Sequence, residues 1–172
     1  MLNRPDSTEY YPYVSGYIHL VPDGDYISYL AKQLEELNAL FAEVSEEQGS
    51  YAYAPGKWSI KEIIGHITDT ERVMSYRLLR IARGDSDISL PGFDQDSFIQ
   101  SAAFSELTLE TLLADFRAVR KATLTLLTTI TDQAWLRKGL VNDNEISARA
   151  IAYTLAGHAQ HHMNVLRDKY LS

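Results

Sequence analysis

No cysteine occurs in the 172 residues. This excludes disulfides, cysteine-ligated zinc and a cysteine nucleophile. The basic excess of a nucleic-acid binder is also missing: Lys and Arg number 16 against 23 Asp and Glu, a net charge of −7. Neither nucleic acid nor an anionic membrane surface is therefore an expected partner. No apolar run approaches the ~18 residues of a membrane helix. The opening Met-Leu-Asn-Arg-Pro-Asp has no apolar signal core, and with the lack of cysteine this makes the cytoplasm the expected location. Strand signals are nearly absent, as are repeats and low-complexity tracts. What is present is a 45% hydrophobic, 10% aromatic chain, rich enough to fold around one core and of a length that suits one domain.

Residues 1–22 read as a Tyr-rich N-terminal arm, not helix-like, with Tyr10, Tyr11, Tyr13 and Tyr17 between Pro5 and Pro22. Such an arm is expected to lie extended over a single domain of residues 23–172, rings buried and hydroxyls wet. From Tyr26 to about Glu47, apolar residues recur in steps of three and four, the period of an amphipathic helix. Its acidic end, Glu43–Glu47, is expected to be solvated. Pro55-Gly56-Lys57 breaks the chain. Ser59 with Glu62 forms a capping box for a second helix that runs to about Arg83, with Gly84 at its C-terminal end. Residues 85–104 form a long loop of the kind that is often functional, with a short helical turn around Asp94–Gln100. Thr108 caps a third helix, Thr131-Asp132 one turn carrying Trp135, and Asn142-Asp143-Asn144 a polar turn. Ser147 opens a fourth helix that runs to about Tyr170. Four amphipathic helices with long connections predict an all-α four-helix bundle.

Histidines stand where core residues should be. The fourth helix has the seam Ile151, Leu155, His158, His162, Val165. Side chains at i and i+4 lie one above the other, so both imidazoles can converge on one point. His161, at i+3 from His158 on the other flank, is the alternative ligand, but the seam favours His162. Gly157 removes bulk beside the pair. The second helix has the seam Ile63, His66, Thr70, Val73, Arg77. If the two helices are neighbours, three imidazoles meet in the bundle core, a common place for a metal. Imidazole suits zinc, nickel, copper and iron. Three protein ligands plus an open position is the catalytic pattern, whereas a fourth protein ligand marks a structural site. A water held there ionises near neutral pH and becomes a nucleophile, and a coordinated thiol is deprotonated.

A single histidine on an apolar face is more often a hydrogen-bonded core residue than a ligand. Three of the chain's five histidines on two core seams make a metal site a serious alternative. Asp69, at i+3 from His66, is a candidate to orient an imidazole or act as base. Asp94 in the long loop is the other candidate catalytic acid, although a solvated loop acid is the simpler reading. Glu62 is accounted for by the capping box. Arg77 shares the face of His66 but lies ~16 Å along it by helical rise. It is expected to pair with an acidic neighbour rather than to hold an anionic substrate end. Tyr153, Trp58 and Trp135 read as packing residues.

Pro55-Gly56-Lys57-Trp58-Ser59, leading to His66-Ile67-Thr68-Asp69-Thr70-Glu71, together with Gly157-His158-Ala159-Gln160-His161-His162, resembles the DinB-like superfamily and, within it, the YfiT-like metal-dependent hydrolases. The resemblance spans about Tyr26 to Tyr170. It implies a DinB/YfiT-like four-helix bundle holding a divalent metal ion, Ni2+ or Zn2+, on His66, His158 and His162, with His161 as a non-ligand. It also implies hydrolase or thiol S-transferase chemistry, a small-molecule substrate with a low-molecular-weight thiol as co-substrate in some relatives, and a homodimer. The expectation is a metal-dependent enzyme of one of these types. The alternative is a non-catalytic metal-binding or stress-response bundle.

Overall fold

The computed structural model describes residues 2–85 and 87–171. Four long helices dominate it: α2 (Tyr26–Phe41), α4 (Ile60–Ala82), α6 (Leu109–Leu127) and α8 (Ala148–Lys169). Each begins at a polar cap, as predicted for α4, α6 and α8. Asp25, Ser59, Thr108 and Ser147 accept hydrogen bonds from the first-turn amides of α2, α4, α6 and α8, and these bonds satisfy donors that would otherwise be orphaned. At Ser59 the reciprocal bond from its own amide to Glu62 completes the capping box. Helix α4 packs against both α6 and α8, and α2 closes the bundle against α6. Among the described residues no helix is long and apolar enough to cross a membrane.

The first helix of the bundle stops earlier than its apolar period suggested. Helix α2 ends at Phe41, and Ser45 starts a separate short helix, α3 (Glu46–Gly49), through a capping box with Gln48. The acidic stretch is not simply solvated. Glu46 pairs with buried Lys61 at 2.8 Å and accepts the Leu109 amide at 2.8 Å, tying α3 to α4 and α6.

The arm is not extended. It forms 3-10 turns at Ser7–Glu9 and Pro12–Val14, then α1 (Ser15–Leu20), which lies along α8. Val14, Ile18 and Val21 are buried in the main core. Arg4 fixes the arm by donating to the Ile18 and Val21 carbonyls at 2.8 and 2.6 Å, and Glu9 pairs with Arg149. Gly157 owes its identity to this packing more than to the histidines. A Cβ there would lie 1.9 Å from the Tyr17 carbonyl oxygen, a backbone atom.

The long connection carries α5 (Gln95–Ala102) and a 3-10 turn at Phe104–Glu106. After α7 (Asp132–Trp135), the chain forms an antiparallel hairpin of β1 (Lys138–Val141) and β2 (Asn144–Ser147). The polar turn is the tip of this hairpin. Asn142 and Asp143 both take positive φ, at 51° and 61°, as a two-residue turn of the primed type requires. Leu90 joins the hairpin by a parallel bridge to Val141 and so draws the long connection over one end of the bundle.

Candidate metal centre

Helices α4 and α8 bring His66, His158 and His162 together. Ring centroids are 4.6 to 4.9 Å apart, and one nitrogen from each ring falls within 4.8 Å of the others. The Nε2 atoms of His66 and His158 face each other at 3.0 Å. Two neutral imidazoles share one hydrogen there, or both direct lone pairs at a common cation. Among the described residues no carboxylate joins the group.

Burial keeps these rings neutral. Desolvation holds His66 at about 4 and His162 at about 3, against an ordinary 6.5. His158 lies well below its ordinary value, first through desolvation and then through the neighbouring histidines. Neutral imidazoles offer their lone pairs at physiological pH without first losing a proton, as a cation requires. Three convergent nitrogen donors with no acid beside them suit a borderline divalent metal, and the residues present fit such an ion.

Aromatic rings wall the cluster. The Trp58 ring lies 4.7 Å from that of His66 and 6.4 Å from that of His162. Trp58 is thus part of the site's lining, whereas Trp135 and Tyr153 are core residues as expected. Tyr17 of α1 presents a ring edge to His158 at 5.5 Å and to His161 at 5.7 Å. Sequence reasoning did not assign Tyr17 to the site. The only trace was the arm's tyrosine content, and the contact depends on the close approach that Gly157 permits. His161 is exposed and sits outside the triad.

The triad divides two cavities. The larger, about 580 Å³, has His66 and His158 in its wall beside Thr70, Met74 and Arg77 of α4 and Tyr11 and Tyr17 of the arm. The smaller, about 300 Å³, is lined by His162, Trp58 and His161.

Other candidates fall elsewhere. Asp69 directs its carboxylate to Arg72 at 3.4 Å, and its pKa is raised by desolvation. Thr70 rather than Asp69 borders the cavity. Asp94 is the N-cap of α5, accepting from the Asp96 and Ser97 amides at 3.0 and 3.1 Å, which gives it a structural task. Arg77 contradicts expectation. It is 5% exposed, and among the described residues no carboxylate pairs with it.

Known proteins resemble this chain to different depths. A protein of Oceanobacillus iheyensis named "Putative metal-dependent hydrolase OB0413" is 28% identical over 131 residues, 75% of this chain and 72% of that protein. YfiT from Bacillus subtilis, whose structure is described as "a probable metal-dependent hydrolase with an unusual four-helix bundle topology", superposes with a TM-score of 0.70. It covers 86% of this chain and 91% of its own at 17% identity, which establishes the shared fold. The sequence model of the DinB superfamily matches residues 29–166, a stretch that contains α4, most of α8 and all three histidines. By that match over most of its length, the chain belongs to the DinB superfamily.

Proposed function

We propose that this protein is a metal-dependent enzyme in which His66, His158 and His162 hold one divalent cation, zinc or nickel, beside the larger cavity. The observation that supports this most directly is the convergence of three neutral imidazoles from two packed helices, with no fourth His, Asp or Glu ligand joining them among the described residues. A cation held by three ligands keeps a position for substrate and supplies Lewis acidity toward an oxygen or sulfur group.

The chain's own residues contribute binding and exclusion of water. Trp58 and Tyr17 pack against the imidazoles and restrict their ring orientations. The cavity of about 580 Å³ falls in the range of small-molecule sites,. Hydrolysis is the first reading of the reaction, in line with the names given to the two relatives. Transfer of a thiol to an electrophile is the second, favoured by a cavity with room for two small reactants. Asp69 and Asp94 are assigned no catalytic step.

The deciding experiment is metal analysis of the purified, untagged protein beside His162→Ala, with helical content followed by circular dichroism. One metal per chain in the wild type, lost in a variant that stays folded, supports the ligand set. Full occupancy in His162→Ala overturns the assignment. Absence of metal after dialysis against zinc and nickel makes these histidines core residues and transfers the reading to a non-catalytic bundle.

A further inference from the structure

Three polar residues along one face of α4 border the larger cavity, His66, Thr70 and Arg77, together with Met74. All three are at least 95% buried. Two of them have hydrogen-bonding capacity that the protein does not satisfy.

Arg77 is the more telling. A guanidinium has five N–H donors. Here one goes to the Pro91 carbonyl at 2.6 Å and one to the Met74 sulfur at 3.7 Å. The contact with Met74, one turn back, shows that the side chain folds toward the N-terminus of α4 and so toward His66, as helix geometry favours. The Phe93 ring lies 5.8 Å from the guanidinium carbon. The Tyr11 hydroxyl lies near the guanidinium, but burial raises its pKa and it brings no negative charge at neutral pH. Burial lowers the Arg77 pKa, and no carboxylate among the described residues compensates the lost hydration. A buried cation without a counter-charge is costly, and proteins normally pair it.

Thr70 gives an independent sign. Its hydroxyl is the one buried side-chain polar atom among the described residues with no hydrogen-bond partner. It does not bond back to its own helix as Thr68 does to Ile64. It sits between the histidines and Arg77, on the cavity wall.

We propose that the larger cavity binds a small carboxylate-bearing molecule, its carboxylate on the Arg77 guanidinium, its body against Thr70 and the arm tyrosines, and its opposite end toward His66 and His158. A planar carboxylate matches the guanidinium fork, which favours bidentate pairing. A phosphate is disfavoured because the site offers a single arginine and no glycine-rich loop to add amide donors. This deepens the metal-enzyme reading by naming the substrate class. The Arg77 subsite itself does not require a metal.

The test uses metal-stripped full-length protein and two probes of similar shape, 4-phenylbutyrate and the neutral 4-phenylbutanol, titrated by calorimetry. Wild type should bind the carboxylate at least tenfold more tightly than the alcohol. Arg77→Gln should bind both alike, with the alcohol's affinity unchanged from wild type. Arg77→Lys keeps the charge without the fork and should retain part of the preference. A residue that only anchored the Pro91 loop would not change the ratio of the two affinities. Equal binding of both probes by wild type, no binding of either, or an undiminished preference in folded Arg77→Gln would overturn the proposal. Metal content is measured on the untreated batch. Loss of the metal reading with the carboxylate preference intact leaves the subsite standing, and the reverse result removes the subsite alone.

Discussion

Helix α4 carries two buried polar clusters, and they differ in completeness. On one face Glu71 receives Arg120, with Nε at 2.8 and 3.0 Å from its two oxygens and a terminal nitrogen at 2.7 Å. The other terminal nitrogen of Arg120 donates to the Leu30 carbonyl and to Gln33. Gln33 passes the network on to the Ala156 carbonyl of α8. Helices α2, α4, α6 and α8 are linked through one ion pair, and Arg120 is fully buried. On the other face His66, Thr70 and Arg77 border a cavity with donors and lone pairs left over. The same helix therefore holds one cluster closed on itself and one that keeps hydrogen-bonding capacity unmet among the described residues. Burial alone does not separate the two; the accounting of partners does.

Breaking the closed cluster should have the largest effect. Arg120→Met leaves the Glu71 carboxylate buried without its partner and is expected to lower stability by about 3–5 kcal/mol. Arg120→Met with Glu71→Leu removes both charges and should recover most of that loss. Urea unfolding of the two variants checks this. A single variant as stable as the double would mean that the network contributes no specific stabilisation. Arg77→Met, by contrast, leaves no carboxylate behind and should cost far less than Arg120→Met.

The two clusters were not equally legible in the sequence. The histidine seams could be read because His66, His158 and His162 interrupt an otherwise apolar stripe at helical spacing. The caps of α4, α6 and α8 could be read because Ser and Thr at a helix start serve a local purpose. Arg77 was placed on the right face but given the wrong partner, since which charge lies opposite is a property of the Leu90–Pro91 segment and the arm. The Glu71–Arg120 pair, 49 residues apart, left no local trace. The β1–β2 hairpin escaped because its strands have four residues each, too few for alternation to show. Helix α1 escaped because its residues pack by contact with α8 rather than through a pattern of their own. Trp58 read as core because a ring against imidazoles and a ring against leucines have the same signature in sequence.

The pH dependence of stability should separate the histidines from the ion pairs. Folded His66 and His162 sit at about 4 and about 3, below the ordinary 6.5. Between these values the unfolded chain binds more protons than the folded one, so stability of the metal-free protein falls as pH drops below 6.5. Glu9 acts in a lower window. Its pairing with Arg149 outweighs its burial and holds it at about 2, below 4.5, so its stabilisation is complete above 4.5 and fades toward pH 2. Unfolding measured from pH 8 to 3 should show the first decline in wild type and a much shallower one in His66→Gln with His162→Gln. A wild-type profile flat from 6.5 to 4 would mean that the imidazoles are not held neutral.

The smallest expected effect is also the sharpest comparison. Thr68 and Thr70 lie on the same helix at 2% and 3% exposure. The Thr68 hydroxyl donates to the Ile64 carbonyl at 2.8 Å, whereas that of Thr70 has no partner among the described residues. Valine keeps the shape of either side chain and removes the hydroxyl. Thr68→Val gives up a hydrogen bond and should lower stability by about 0.5–1.5 kcal/mol. Thr70→Val gives up only an unsatisfied polar group and should be neutral or stabilising by up to about 1 kcal/mol. Thermal unfolding of the two variants reads the difference in sign directly. Equal losses would mean that the Thr70 hydroxyl already has a partner in solution, such as an ordered water. If Thr70→Val is instead more stable yet binds 4-phenylbutyrate less tightly, stability and binding oppose each other at a single atom. That opposition is expected of a polar group retained for a ligand rather than for the fold.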